Sequence, residues 1–395
     1  MNIASIQLTN FRNFTSRKVI FDPKLTVIVG PNGSGKSNIL EAVGLLAAVR
    51  IHKVDTDLDF VRFGQADSKI EGRVKSLEDS KMLTINLQVD PNAVILGSEA
   101  TPESRKVDSG QALRLRSGPK GREFIESARM TRGLVRKTYF IDSIKKRLVD
   151  FTEHFAVVCF EPSDLELVWG SPSERRHHLD TLLASVDRDY WRAITSYNKI
   201  VVRRNKILQR ILDGQILPSG RQAKKSELDF WDERLLEHGK FLSKARAEFF
   251  EFVNLPAGRQ VLSMDFTWQL KQSLLTPEKL LMNRDRDIAA GVTLSGPHRD
   301  DFMFLFRGKN LEFFGSRGEA RMAVLALKLA ELEYFNSKRG ARPVLALDDI
   351  FSELDWKHRE AVLGVIEKQQ TIITAAESES LPKDLYKKAK VVELR

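Results

Sequence analysis

The sequence predicts an α/β fold organised around a phosphate-binding loop, and three observations support this prediction. An apolar run typical of a β-strand, residues 25–29, leads into the glycine-rich segment 30–37. A segment with apolar residues at helical spacing follows over residues 38–49. A second buried-strand run, residues 344–347, ends in Asp348 and Asp349. A strand, a glycine-rich turn and a helix in this order are typical of a loop that binds nucleotide phosphates.

The residue types in the loop suit a phosphate ligand. The loop comprises Gly30, Pro31, Asn32, Gly33, Ser34, Gly35, Lys36 and Ser37. Its glycines allow backbone N–H groups to turn toward phosphate oxygens at the start of a helix. Lys36 can reach the β- and γ-phosphate oxygens, and the Ser37 hydroxyl can ligate Mg²⁺. We therefore expect the phosphates of a nucleotide to lie on this loop.

Composition limits the class of protein. The chain has 395 residues, of which 42% are hydrophobic, so it can form either two domains or one large two-lobed domain, with a buried core. A net charge of +10 favours an anionic partner, either nucleic acid or an acidic membrane. The single cysteine, Cys159, is predicted to be buried, and one thiol suits a reducing compartment. The apolar run 42–49 is too short to span a bilayer, and residues 1–4 do not begin a signal peptide. We expect a cytoplasmic protein.

The N-terminal part alternates between short strands and turns. Strands are predicted at residues 3, 5–8, 18–21, 25–29, 69–75, 82–89, 136–141 and 155–160. Segments 69–75 and 82–89 are expected to pair in an antiparallel sheet, and a short helix is expected over residues 142–151. Residues 97–121 are rich in glycine, serine, proline and charge, which predicts a flexible excursion. Arg12 is either a surface cation or a residue that approaches the nucleotide.

The middle of the chain is predicted to be helical. Ser171 is followed by a proline and, three residues later, by a glutamate, and this pattern predicts the start of a helix. Helical, highly charged patterns cover residues 174–213 and 225–253. Two similar strings, residues 217–222 and 255–260, are predicted to be turns or insertions, and no physical reason for their similarity is evident. Five cations at helical spacing either contact DNA phosphates or form a solvated face: Lys199, Arg203, Arg204, Lys206 and Arg210.

A polar turn follows the helical region. A strand is predicted over residues 264–270, a helix from Pro277 and a strand over residues 302–306. The turn before the last strand contains His298, Arg299, Asp300 and Asp301. This cluster suggests either metal or phosphate chemistry, or the ordinary polarity of a proline–glycine turn, which we favour.

Two further segments complete the candidate site. Ser316, Gly318 and Glu319 precede a helical run at residues 321–335, where a hydroxyl and free N–H groups either attract an anion or only cap the helix. Asp348 is expected to hold Mg²⁺, chiefly through water, opposite Ser37.

Two roles are expected beyond Asp348. Asp349 is expected to orient and deprotonate the attacking water. The turn from Ser352 to Asp355 follows at once, where it can reach a neighbouring subunit.

The order of these motifs resembles that of ATP-binding-cassette (ABC) ATPases of the SMC-like branch, and within it the RecF family of bacterial DNA replication and repair proteins. The resemblance covers nearly the whole chain and rests on residues 10–14, 30–37, 160–165, 170–176, 296–301, 316–321 and 347–355. It implies an α/β P-loop head with a mixed-sheet, ATP-binding lobe and a largely helical second lobe. The expected boundaries are 1–162 with 341–395 for the first lobe, and 163–340 for the second.

The resemblance also implies a mechanism. Two subunits sandwich ATP and Mg²⁺, so that Ser316 and Gly318 of one chain face the γ-phosphate held by Lys36 of the other. Arg12 then becomes a phosphate-side residue, and residues 352–355 become a dimer contact. The implied activity is weak, DNA-dependent ATP hydrolysis. The implied substrate is DNA at gaps and at junctions of single and double strands, with RecR and RecO as partners in loading recombinase.

The sequence departs from the broader ABC pattern in three places. Arg317 and Glu319 replace the glycine and glutamine of the signature, and Asp349 stands where a glutamate is usual. Residues 371–376 contain no histidine, so the switch histidine is not assigned, and residues 160–163 are only a candidate for the glutamine-type loop.

Two alternatives remain open at this stage: the ATPase head of an overcoming-lysogenisation-type nuclease, or the head of a long coiled-coil structural protein. The nuclease would need a further acidic metal cluster, and no appended domain that could carry one is expected in a chain that ends at Arg395. The coiled-coil protein would need a long arm, and the segment between Pro162 and the later strands of the second lobe is too short for one.

Overall fold

The structure is a computed structural model that describes residues 1–47, 57–75, 79–90, 135–214, 226–255, 265–352 and 356–394. The chain divides into two compact units. Unit 1 contains residues 1–157, 346–352 and 370–395, and unit 2 contains residues 158–345 and 353–369. The lobe boundaries expected from the sequence stay a prediction. The excursion expected at residues 97–121 and the string at 217–222 lie outside the described residues, as does the string at 255–260 after its first residue.

The strands are β1 Asn2–Phe11, β2 Phe14–Ile20, β3 Leu25–Val29, β4 Asp67–Lys75, β5 Ser80–Val89, β6 Val135–Ile141, β7 Ile144–Lys146, β8 Val157–Phe160, β9 Phe266–Lys271, β10 Asp301–Phe306, β11 Lys309–Asn310, β12 Val344–Leu347, β13 Thr371–Ala375 and β14 Lys390–Glu393. The helices are α1 Lys36–Leu46, α2 Leu148–Phe151, α3 Glu166–Trp169, α4 Pro172–Val186, α5 Arg188–Leu212, α6 Glu227–Asn254, α7 Pro277–Ala290, α8 Leu311–Phe314, α9 Arg317–Arg339, α10 Trp356–Ile366 and α11 Lys383–Lys388.

A six-stranded antiparallel sheet in unit 1 has the order β2-β1-β4-β5-β6-β7. The expected pairing of β4 with β5 is confirmed, with Ile70 opposite Ile85. The helix expected over residues 142–151 is wrong for its first half, because β6 turns directly into β7. Asp142 and Ser143 have φ angles of 47° and 68°, and two consecutive positive φ angles form the tight turn that suits a two-residue hairpin. Only Leu148–Phe151 is helical there.

A second, five-stranded sheet has the order β14-β3-β13-β12-β8. Strand β3 pairs in parallel with β13 and β14, so that Val27 lies opposite Ile373 and Val391. All five residues of β3 are buried, as expected of a strand covered on both faces. Because parallel strands end at the same edge, the loops after β3 and β13 lie side by side. Helix α1 contacts both β13 and the strands β4 and β5 of the antiparallel sheet.

Unit 2 is largely helical, with a small sheet of order β11-β10-β9. Helix α4 begins at Pro172, as predicted, although the Ser171 side chain makes no cap hydrogen bond. The long helices α5 and α6 pack against each other, and α7 packs against both. Cys159 is buried, as predicted. No helix among the described residues is sufficiently long and apolar to cross a membrane.

Arg204 corrects one expectation about DNA. Its side chain is fully buried, so it is not available to DNA phosphates. Its Nε donates to Asp232 Oδ1 at 2.7 Å, and its Nη1 donates to Asp287 Oδ2 at 2.7 Å and to Thr293 Oγ1 at 2.9 Å. The helical period explains the difference, because Arg204 follows Ile200 by four residues on the inward face of α5. The other four cations of the set are exposed.

The Arg204→Leu variant tests the structural role of this buried cluster. Removing the cation leaves the buried carboxylate of Asp287 without the Arg204 guanidinium that compensates its charge. We therefore expect the free energy of unfolding to fall by about 3–5 kcal/mol. Lys206→Leu is the matched control on the same helix, and its change is expected to stay within about 0.5 kcal/mol because the side chain is exposed. Urea titrations followed by circular dichroism measure both. Equal stability of the two variants would contradict the assignment.

Candidate nucleotide-binding site

The loop between β3 and α1 has a backbone that requires glycine at two positions. Gly35 has a φ angle of 99°, and a Cβ atom placed there would lie 2.5 Å from Cζ of Phe14. A Cβ atom on Gly30 would lie 2.5 Å from the carbonyl oxygen of Leu394. Any larger residue therefore displaces a neighbouring strand or hairpin. The loop is held between the β1–β2 hairpin and the residue that follows β14.

Polar groups in this loop are positioned for a ligand. Lys36 is only 8% exposed, and its Nζ donates to the carbonyl oxygens of Gly30 at 2.7 Å and of Pro31 at 3.0 Å. Ser34 Oγ is buried and has no hydrogen-bond partner within the described part of the chain. Most buried polar atoms in proteins are hydrogen-bonded, so this hydroxyl still has the capacity to form a hydrogen bond. The loop therefore offers an ammonium group and a hydroxyl to an anion.

A chain of hydrogen bonds connects Ser37 in α1, Asp348 after β12 and Thr374 in β13. Ser37 Oγ donates to Asp348 Oδ1 at 3.1 Å, and Thr374 Oγ1 donates to the same oxygen at 2.6 Å. Asp348 is 5% exposed and directly follows β12, whereas Thr374 lies in β13. The structure thus brings together Ser37 and Asp348, the two residues expected to hold Mg²⁺.

Asp349 adopts a left-handed backbone conformation, with a φ angle of 51°. Its backbone N–H donates to Thr374 Oγ1 at 3.0 Å. Its Oδ1 is buried and has no hydrogen-bond partner among the residues that the structure describes. An unusual backbone angle and an unpaired carboxylate oxygen are features that cluster at functional sites. Asp349 therefore has a carboxylate oxygen that can accept a hydrogen bond.

Arg12 lies at the turn between β1 and β2. Its Nε donates to Glu41 Oε2 of α1 at 2.8 Å, and its guanidinium lies 5.2 Å from the centre of the Phe60 ring. The neighbouring Asn13 accepts a hydrogen bond from Asn38 Nδ2 at 2.8 Å. The turn is thus attached to the first turns of α1. A direct contact between Arg12 and phosphate stays a prediction.

The signature residues belong to unit 2 and form the start of α9. Ser316 Oγ accepts from the Glu319 backbone N–H at 3.2 Å, and Glu319 Oε2 accepts from the Ser316 backbone N–H at 2.8 Å, which is a capping box. The Ser316 backbone N–H and hydroxyl both donate to the Glu319 carboxylate, and these two bonds lower its pKa. Ser316 and Gly318 are exposed, and a Cβ atom on Gly318 would meet nothing within 4 Å.

The turn after Asp349 is described only in part. The exposed Ser352 Oγ donates to the Asp349 carbonyl oxygen at 2.8 Å. Asp355, the other residue expected at a dimer contact, lies outside the described residues. The dimer contact stays a prediction.

The cluster from His298 to Asp301 has a structural role, as favoured above. Arg246 Nη1 donates to Asp300 Oδ2 at 2.7 Å, and Arg175 Nε donates to Asp301 Oδ1 at 2.6 Å. Arg299 donates to the carbonyl oxygen of the buried Thr293. These groups bind other protein groups, so they hold the helices of unit 2 to β10.

Two residues of the site were missed from the sequence. Thr374 connects Asp348 to Asp349, and Glu41 holds Arg12. A threonine inside the apolar run 371–375 was a usable signal, because a buried hydroxyl needs a partner. Glu41 was a second usable signal, because a carboxylate at a buried position of an apolar helix needs a partner.

The comparisons with known proteins agree with this geometry. Residues 2–392 match the family model for the RecF/RecN/SMC N-terminal domain. The DNA replication and repair protein RecF of Moorella thermoacetica is 31% identical, over 100% of this chain and 95% of that protein. The corresponding protein of Herpetosiphon aurantiacus is 33% identical, over 95% and 94% of the two chains. This chain belongs to the RecF family. The RecF resemblance expected from the motifs is confirmed.

Solved RecF structures also support the fold. A structure of the recombination mediator protein RecF-ATPrS in the RecFOR pathway has a TM-score of 0.75 and 25% identity, over 96% of this chain and 94% of that one. A RecF-ATP structure has the same TM-score and identity. The predicted fold class, an α/β P-loop head of the ABC type, is confirmed.

The pH dependence of stability tests the structural role of His298. Its Nδ1 lies 2.8 Å from the Tyr197 hydroxyl and its Nε2 lies 3.0 Å from the Thr293 carbonyl oxygen, so the neutral ring fits both. Desolvation by burial lowers the pKa of His298 to about 4. The unfolded state binds a proton near pH 6.5, whereas the folded state does so only near pH 4. Stability due to this group is therefore complete above pH 6.5 and is lost as the pH falls toward 4.

We expect the free energy of unfolding to fall by about 2 kcal/mol more in the wild type than in His298→Gln between about pH 7 and about pH 4.5. Urea titrations at the two pH values measure the difference. Parallel pH profiles would show that His298 is not held neutral.

Proposed function

We propose that this chain is an ATP-dependent DNA-binding clamp protein that acts in DNA replication and recombinational repair in the cytoplasm. The observation that supports it most strongly is the hydrogen bond from Ser37 to Asp348, which joins the phosphate-binding loop to the end of β12. Membership of the RecF family gives this site its context. In the proposal, ATP stabilises a homodimer that holds DNA, and hydrolysis releases it.

The residues present fit ATP with Mg²⁺. The unpaired Ser34 hydroxyl, the Lys36 ammonium and the N-terminal end of α1 would hold the phosphates. Ser37 and Asp348 would hold the metal ion, Asp348 chiefly through water, since both are hard oxygen donors. Bound Mg²⁺ supplies positive charge that neutralises the phosphates and orients them. The Thr374 hydroxyl keeps Asp348 in place, because it bonds the same carboxylate oxygen that accepts from Ser37.

Asp349 would act as the general base. Its unpaired Oδ1 can orient a water molecule and accept its proton, while its backbone N–H is fixed by Thr374. A carboxylate one carbon shorter than the usual glutamate reaches less far, which favours slow hydrolysis. We propose a weak ATPase activity that DNA stimulates.

Gly318 supports an ATP-sandwich dimer. A Cβ atom on Gly318 would meet nothing within 4 Å, so the described residues give no packing reason for glycine. Close approach of another molecule would give one. Ser316 and Gly318 would then face the nucleotide held by Lys36 of a second subunit, with residues 352–355 at the same interface.

The exposed cations of α5 support DNA binding, because each can contact a phosphate. They are Lys199, Arg203, Lys206 and Arg210. The proposed substrates are single-stranded gaps and junctions of single and double strands. RecR and RecO are the proposed partners in loading recombinase.

DNA binding with ATP, with ADP and with a Lys36→Met variant tests the proposal. Removing the ammonium lowers affinity for the triphosphate, so we expect Lys36→Met to lose at least tenfold in ATP affinity and to lose the ATP-dependent increase in DNA binding. Lys24→Met is the matched control, because Lys24 is an exposed lysine of the same unit. Fluorescence anisotropy of a gapped duplex measures the effect. An ATP-dependent increase in DNA binding that persists in Lys36→Met would contradict the proposal. Cleavage of the DNA would favour a nuclease instead.

The Ser316→Arg variant tests the dimer. A bulky cation at this position blocks a second subunit but leaves the ATP-binding loop of its own chain intact. We expect Ser316→Arg to bind ATP and to sediment as a monomer, while the wild type sediments as a dimer with ATP.

Mixing Ser316→Arg with Lys36→Met provides the control, because their heterodimer keeps one intact composite site and carries one blocking arginine, whereas a Ser316→Arg homodimer carries two. We expect the mixture to recover part of the dimer that neither variant forms alone. If Ser316→Arg still sediments as a dimer with ATP, the signature residues do not form the dimer interface.

A further inference from the structure

One surface of unit 2 combines exposed cations with the exposed ring of Phe230 and the half-buried ring of Trp231. Its cationic part is the outer face of α5, formed by Lys199, Arg203, Lys206 and Arg210. These residues are separated by four, three and four positions, so they share one side of the helix over about 16 Å. Residues 190–212 include no aspartate or glutamate. The face thus has no carboxylate of its own helix to neutralise it.

The aromatic part comes from the start of α6. Phe230 is 53% exposed and meets the ring of Trp231 edge to face, with centroids 5.1 Å apart. The Arg203 guanidinium lies 5.3 Å from the Trp231 ring centre, and the Arg234 guanidinium lies 4.9 Å from that of Phe230. Arg203 therefore connects the cations of α5 to the ring of Trp231, and Arg234 lies beside the neighbouring ring of Phe230. We call Lys199, Arg203, Lys206, Arg210, Phe230, Trp231 and Arg234 the cation–aromatic surface.

Packing does not explain Phe230. The core beneath this surface consists of Ile207, Leu208 and Leu228, with Trp231 packed against its side. Phe230 is not part of that core, and most large aromatic side chains are buried. An exposed ring beside a cationic face is a feature typical of nucleic-acid contacts.

Two of the nearby carboxylates are paired. Asp229 accepts a hydrogen bond from Arg284 Nη2 at 2.7 Å, and the buried Asp232 accepts from both Arg204 and Arg284. Two more, the half-buried Glu227 and the exposed Glu233, lie three residues before and three residues after Phe230, so they share its side of α6. The five cations of the cation–aromatic surface outnumber these two carboxylates, so its charge stays positive.

We propose that the cation–aromatic surface binds single-stranded DNA. Phosphates would lie along the cations of α5, and unpaired bases would stack on Phe230, Trp231 and the two guanidinium planes. Base faces are free in a single strand and are covered by stacking in a duplex, so the rings select single-stranded DNA. The inference rests on the proposed DNA-binding function and adds the form of DNA that this surface takes.

The test uses Phe230→Ala in the full chain with ATP. Three fluorescent ligands are compared by anisotropy: oligo(dT), an abasic oligonucleotide of equal length, and a duplex closed by hairpins. Loss of one stacking contact is expected to weaken oligo(dT) binding roughly five- to tenfold and to leave the abasic and duplex ligands within about twofold.

Two controls separate the parts of the surface. Lys206→Ala is expected to weaken the oligo(dT) and abasic ligands alike and to reduce the slope of log affinity against log salt by about 1. Leu281→Ala, which truncates a 68% exposed apolar side chain elsewhere in unit 2, is expected to change nothing. Thermal unfolding followed by circular dichroism checks that every variant folds.

Equal weakening of all three ligands by Phe230→Ala, or no weakening of any, would overturn the inference. Its failure is distinct from failure of the proposed function. Wild-type protein that binds no DNA with ATP refutes the function itself. DNA binding by the wild type with an unaffected Phe230→Ala refutes only the role of this surface.

Discussion

The hydrogen bond between Ser37 and Asp348 is the constraint on which the site depends. It joins residues that are 311 positions apart in the sequence. The strand order β3-β13-β12 makes this possible, because β13 pairs in parallel with the strand that precedes the loop and lies next to the strand that precedes Asp348. Thr374, from β13, bonds the same carboxylate oxygen as Ser37. A shift of one residue in the register would move Thr374 to the other face and separate the three groups.

Buried charges give unit 2 its internal order. Arg204 bonds two carboxylates between α5, α6 and α7, and Arg246 bonds Asp180 and Asp300. Desolvation lowers the pKa of the buried Lys328, but the carboxylates of Asp164 and Glu331 raise it to about 12, so this lysine of α9 stays charged. Breaking any of these pairs would leave a charge without compensation in the interior. Such pairs fix the orientation of the helices that carry the signature residues and the cation–aromatic surface.

Local patterns predicted much of the fold, and failures occurred where tertiary contacts decide. The loop 30–37, strands β3 and β12 and the start of α4 were correctly expected, because glycine spacing, apolar runs and a proline at a helix start act locally. The Asp142–Ser143 turn was missed, since nothing in a short polar segment distinguishes a tight hairpin from a helix start. Arg204 was misjudged because charge normally indicates exposure, and its partners lie on other helices. Thr374 was missed because only the fold brings it to Asp348.

We propose that the loop 30–37 and Asp348 form one site for ATP and Mg²⁺. Calorimetric titration of ATP into the wild type and into Asp348→Asn, each with Mg²⁺ and with EDTA, tests it most directly. The account predicts that Mg²⁺ strengthens ATP binding by the wild type at least tenfold, and that Asp348→Asn loses most of this gain because it removes the charge that attracts the ion. A Mg²⁺ effect of the same size in both proteins would contradict the account.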